Sequence, residues 1–131
     1  SASAYEWIED FDPAMFEEIK QRIREGRWIV VGGWYVQPDC NLPSGEGFAR
    51  QTLYAQRYFK EKLGVTAKVG YDVDSFGHNA NLPQILKKSG IKYFMTTKQL
   101  CMPCGGKFVF GHVHQPFNRK CGIRNKIWGT I

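Results

Sequence analysis

Three times within residues 5–96, a stretch with helical apolar spacing gives way to a short β-branched or aromatic run. Such alternation is most simply satisfied by a parallel sheet, because crossover helices then cover strands that are apolar on both faces. In the first unit, Ile8, Phe11, Met15, Phe16, Ile19 and Ile23 recur at three- and four-residue steps. Asp12-Pro13 predicts an N-cap with proline at the first helical position, and Gly26 predicts a stop. A break near Asp10 would divide this segment into two helices. Residues 28–33 then read as a buried strand. In the second unit, Ser44 is the expected N-cap of a helix carrying Phe48, Leu53, Tyr54, Tyr58, Phe59 and Leu63, followed by a strand over residues 65–73. The third unit is a short helix over residues 82–89, with Pro83 in its first turn, and a strand over residues 91–96. The expected fold class is α/β, with three parallel strands alternating with helices.

The 131 residues are 43% hydrophobic and 23% charged, which excludes an intrinsically disordered chain. No apolar run approaches the roughly 20 residues of a membrane span, so no membrane partner is expected. Ser1-Ala2-Ser3 is not a basic flank leading into an apolar stretch. No signal peptide is therefore expected, a cytoplasmic setting is favoured, and the absence of an initiator Met suits an excised piece. The net charge of +6 is unevenly placed. Residues 1–98 hold 13 Lys and Arg against 12 Asp and Glu, whereas residues 99–131 hold five basic residues and no acid. A surplus confined to the tail is a poor basis for a nucleic-acid partner, and none is expected.

The segment Asp72-Val-Asp74-Ser-Phe76-Gly-His78 puts a carboxylate just past the end of a predicted parallel strand, with an aromatic and a histidine close behind. Strand C-terminal ends are where barrels and open α/β sheets build active sites. The competing reading has Asp74 capping the next helix and His78 packing beside it. Strand alternation would put Asp72 and Asp74 on one face, with Asp74 nearer the turn. The loop after the first strand carries Trp34 and Tyr35 among many hydrogen-bonding groups, a composition suited to stacking on sugar rings and bonding their hydroxyls.

Taken together, Pro38-Asp-Cys-Asn-Leu-Pro-Ser-Gly-Glu46, Arg50-Gln51, Tyr58-Phe59, Asp74-Ser-Phe-Gly-His78 and Leu82-Pro-Gln-Ile85 resemble glycoside hydrolase family 38, the α-mannosidases. The resemblance covers residues 5–97 and implies a retaining, zinc-dependent α-mannosidase acting on a terminal α-mannoside or oligosaccharide. It also implies that residues 1–98 are part of a seven-stranded (β/α) barrel whose remainder lies outside this chain. By motif position, Asp74 matches the nucleophile and a zinc ligand, Phe76 matches an aromatic beside the bound sugar, and His78 matches a supporting residue; Trp34, from its loop after the first strand, is the second expected substrate contact. The other zinc ligands and the acid/base residue of the family fall outside this stretch. A chain with one of the two carboxylates is expected to be inactive alone.

Residues 99–131 break with that pattern and read as a separate, divergent basic tail. Cys101-x-x-Cys104, His112, His114 and Cys121 are zinc-type ligands at irregular spacing. A zinc knuckle, disulfides, or unliganded thiols and histidines are the alternatives there. For the chain as a whole, the alternatives to an α-mannosidase fragment are a small zinc-stabilised basic binding module and a non-catalytic carbohydrate-binding relative.

Overall fold

The computed structural model describes residues 1–75 and 77–96, together with the backbone of strand Val109–His112. The first helical segment is two helices, α1 (Ala2–Phe11) and α2 (Pro13–Arg24). The break falls at Asp12, whose carboxylate accepts the Met15 N–H at 3.0 Å while Pro13 opens α2. This is the cap the sequence signals. Helix α3 (Gly45–Tyr58) starts on Ser44, whose hydroxyl accepts the Gly47 N–H at 3.1 Å. It continues through a π-helical turn (Phe59–Leu63) and stops at Gly64, which takes the left-handed φ of 72° that favours glycine.

Strand β1 (Val69–Tyr71), helix α4 (Leu82–Lys88) and strand β2 (Tyr93–Thr96) form a strand–helix–strand unit with β1 and β2 parallel. Val69 pairs with Tyr93, Gly70 with Phe94 and Tyr71 with Met95. Strand β3 (Val109–His112) runs antiparallel on the far side of β2.

The expected three parallel strands are therefore corrected to two. Among the described residues, residues 28–33 pair with the sheet only through the parallel bridge of Gly32 to Gly70, with the Gly32 N–H donating to Val69 O at 2.8 Å. Gly32 and Gly33 have φ of 103° and 71°, outside the β region, so the segment turns away after one bridge. Apart from the backbone of β3, the proposed unit of residues 99–131 lies outside the described residues.

The core runs from Phe16 and Val30 through Phe48, Ala55 and Phe59 to Leu82, Leu86 and Ile91. Gly70 lets β1 approach its neighbours closely, since a Cβ there would lie 2.9 Å from the Phe94 ring and 3.4 Å from Leu86. The start of α1 is tied to the segment after Gly33. The N–H groups of Ala2 and Ser3, left unpaired by the helix itself, donate to the carbonyls of Trp34 and Tyr35 at 3.0 Å. Parallel pairing sends the segments that follow Gly32 and β1 out at one end of the sheet, the end at which β2 also finishes, and the candidate site lies there.

Candidate functional site

Cys40, in the loop before α3, is bound to the segment after β1. Its backbone N–H donates to Ser75 Oγ at 3.0 Å, and that hydroxyl donates to the Gly77 carbonyl at 3.1 Å. Its thiol donates to Asp72 Oδ2 at 2.6 Å, and Gln37 Nε2 donates to the other oxygen, Oδ1, at 2.9 Å. Asp72 is 0% exposed, while its own N–H still reaches Met95 O at 3.0 Å. A carboxylate this deep needs donors, and the thiol and the amide provide them.

Burial raises the Asp72 carboxyl above its ordinary range, and the charges of Asp39 and Asp74 add to this against the two hydrogen bonds from Cys40 and Gln37. Burial, then the contact with Asp72, pushes the Cys40 thiol up to about 12. His78 is lowered to about 4 by burial, so its imidazole is neutral at pH 7. One ring nitrogen, Nε2, lies 3.0 Å from Thr96 Oγ1, and the ring stands edge-on to Phe94 at 5.3 Å. The other, Nδ1, is buried with no hydrogen-bond partner among the described residues.

Asp74 is exposed two residues further along. The expectation that Asp72 and Asp74 share a face fails, because β1 ends at Tyr71 and alternation ends with it. The capping alternative fails too, since Asn81 occupies the N-cap position of α4. The packing half of that alternative holds, with His78 set against Phe94. Trp34 is 1% exposed and packs on Phe48 with ring centroids 5.9 Å apart. Its indole Nε1 is buried without a partner among the described residues. Phe76 lies outside the described residues.

Among the described residues, one group of three metal-ligand side chains comes together: Cys40, Asp72 and His78, whose ligand atoms lie within 4.8 Å of one another. Asp74 is not in such a group, so the described residues do not by themselves assemble the zinc site that the resemblance implies around it. Cys40 and Asp72 carried no assigned role in the sequence. An acid inside a predicted buried strand was the available signal, since such a group needs a partner. Nothing in the sequence pattern points to a partner 32 positions away. An open apolar groove of about 580 Å3, lined by Ile23, Trp28, Ile29, Val30, Val65 and Val69 among others, involves none of these groups.

Residues 1–100 match the glycosyl hydrolases family 38 N-terminal domain. The chain belongs to glycosyl hydrolase family 38. Among its family 38 relatives is alpha-mannosidase G of Dictyostelium discoideum, 42% identical over 97 residues. The alpha-mannosidase of Saccharomyces cerevisiae is 35% identical over 98 residues, and human alpha-mannosidase 2C1 is 37% identical over 97. Each match covers 74% of this family 38 chain and 9% of the relative. The chain thus spans about a tenth of the length of the curated relatives it matches.

Proposed function

We propose that this chain is part of the catalytic (β/α)7 barrel of a retaining, zinc-dependent α-mannosidase that releases terminal mannose from α-mannosides, with Asp74 as nucleophile. The observation that carries this reading is the position of Asp74: an exposed carboxylate just past the C-terminal end of a parallel strand, at the sheet end that also bears the loop after Gly32. The names of the relatives supply the substrate class.

In a retaining glycosidase two carboxylates stand about 5–5.5 Å apart. Asp74 would attack the anomeric carbon and form a glycosyl–enzyme ester. A second carboxyl, from outside the described residues, would protonate the departing oxygen and then activate water to cleave the ester. Zinc in the whole enzyme would be held by Asp74 together with ligands from outside these residues, and would favour the ionised carboxylate. Phe76 and Trp34 are the proposed sugar contacts. Trp34 is buried in this chain, and its indole Nε1, without a partner among the described residues, is the atom it has available to donate. His78 supports the turn through Thr96. The division into a family 38 unit, residues 1–98, and a separate tail, residues 99–131, belongs to this proposal.

The test uses the whole enzyme and an activated fluoro-mannoside that forms the ester faster than it is hydrolysed. The mass increment should fall on the peptide containing Asp74, and Asp74→Asn should lose both the increment and turnover. Labelling of a different carboxylate would overturn the assignment. Labelling nowhere, with mannoside binding intact, would favour a non-catalytic carbohydrate-binding protein. The 131-residue chain alone should not hydrolyse an aryl α-mannoside, and chelator-sensitive turnover by it would contradict the need for a second carboxylate.

A further inference from the structure

We propose that Cys40, Asp72 and His78 form a site for one divalent cation of the zinc class, distinct from any metal held by Asp74. The three side chains come from two segments that the parallel sheet brings to one end, and their ligand atoms already lie within 4.8 Å of one another. The donor set is one thiol, one carboxylate and one imidazole. Zinc, cobalt and their neighbours take that mixture, whereas calcium and magnesium prefer oxygen alone.

A second observation points the same way. His78 Nδ1 is buried without a partner among the described residues, while Nε2 is engaged by Thr96 Oγ1. One nitrogen held by a neighbour and the other without a protein partner is how a ligating histidine is normally set. The other two ligands are also held from outside. Gln37 donates to the Asp72 oxygen that the thiol does not use, and Ser75 fixes the backbone of Cys40.

Binding requires one small rearrangement. Tetrahedral zinc with Zn–S near 2.3 Å and Zn–O near 2.1 Å puts sulfur and oxygen roughly 3.6 Å apart. The thiol and carboxylate, now 2.6 Å apart, would open by roughly 1 Å as the cation takes the place of the shared proton. That proton leaves to solvent, the cation bonds to the thiolate, the carboxylate and the imidazole, and water takes the fourth position. Thiolate and carboxylate together neutralise the dication, so the buried site carries no net charge.

The test uses cobalt(II) with the 131-residue chain in which Cys101, Cys104 and Cys121 are replaced by Ser, leaving Cys40 as the one thiol. One equivalent should bind with a thiolate-to-cobalt charge-transfer band, release of one proton and a rise in melting temperature. Adding Cys40→Ser should abolish the band. Asp72→Asn keeps the thiol and nearly the same shape, and should weaken binding by more than the roughly 10–100-fold that loss of an outer-shell partner costs. Gln37→Leu should fall within that range. Asp74→Asn should keep the band, with at most a small loss of affinity from the missing neighbouring charge, which separates this site from the proposed catalytic zinc. Absence of the band, its survival in Cys40→Ser, or its loss in Asp74→Asn would each overturn the proposal.

Discussion

Gly77 adopts a φ of 125°, a region that side chains rarely enter. A Cβ there would also lie 1.8 Å from Asn41 Nδ2. Gly77→Ala is therefore expected to destabilise the fold by about 1–3 kcal/mol, the usual cost of a backbone held in a sparsely populated region. Adding Asn41→Ala should recover only part of the loss, because it removes the collision and leaves the dihedral. Urea unfolding of the single and double variants checks this, and full recovery would locate the whole cost in the collision. The two aspartates should separate by readout. In the whole enzyme, Asp74→Asn is expected to remove nearly all activity while changing stability by no more than about 0.5 kcal/mol, as suits an exposed side chain. Asp72→Asn disturbs a buried carboxylate with two donors and should cost about 1–3 kcal/mol of stability, with the smaller effect on turnover. Thermal unfolding beside kcat measurements distinguishes the two, and equal loss of activity would mean that the nucleophile has been placed wrongly.

At the scale of elements, one side chain does the work of a missing strand. Gln56 on α3 accepts the Ala67 N–H at 2.9 Å and donates to the Ala67 carbonyl at 2.7 Å. Ala67 is buried and lies just before β1, so both of its backbone groups are satisfied by this one amide. Gln56→Leu keeps the size and removes both bonds. It should cost about 2–6 kcal/mol, taking roughly 1–3 for each of the two polar groups left unpaired. Gln56→Glu retains the acceptor and should cost less. Hydrogen exchange at Ala67 is the direct measurement, with protection expected to fall in Gln56→Leu and to persist in part in Gln56→Glu. The same reasoning explains why α3 and α4 stay together, since Thr52 Oγ1 and Ser89 Oγ lie 2.8 Å apart across them.

At the scale of the molecule, the helices and first segment leave large apolar groups in water. Phe11 is 86% exposed and Ile29 74%, and Trp7, Leu42, Leu53 and Tyr54 are exposed as well. Ile29 lines the apolar groove with Trp28, Val30 and Val69. Contiguous apolar surface of this kind favours association. Sedimentation velocity of the isolated chain should show concentration-dependent self-association that Ile29→Lys reduces. A monomer at all concentrations would contradict this.

Much of the local structure was legible along the chain because its signals are local. The Asp12-Pro13 cap, the Ser44 cap and the stops at Gly26 and Gly64 each depend on a few adjacent residues, and all four are present. The parallel direction of the β1 and β2 segments followed from a helix between them, which carries the chain back to the starting edge. The strand over residues 28–33 was overread. Its β-branched content was counted, but two glycines at positive φ end the pairing after one bridge. The match to family 38 was carried by motif order, which is itself sequence. What only the tertiary structure decided is the junction of Cys40, Asp72 and His78. Contacts between residues 32 apart depend on how loops leave the sheet and on which donors reach a buried carboxylate, and neither leaves a periodic trace in the chain.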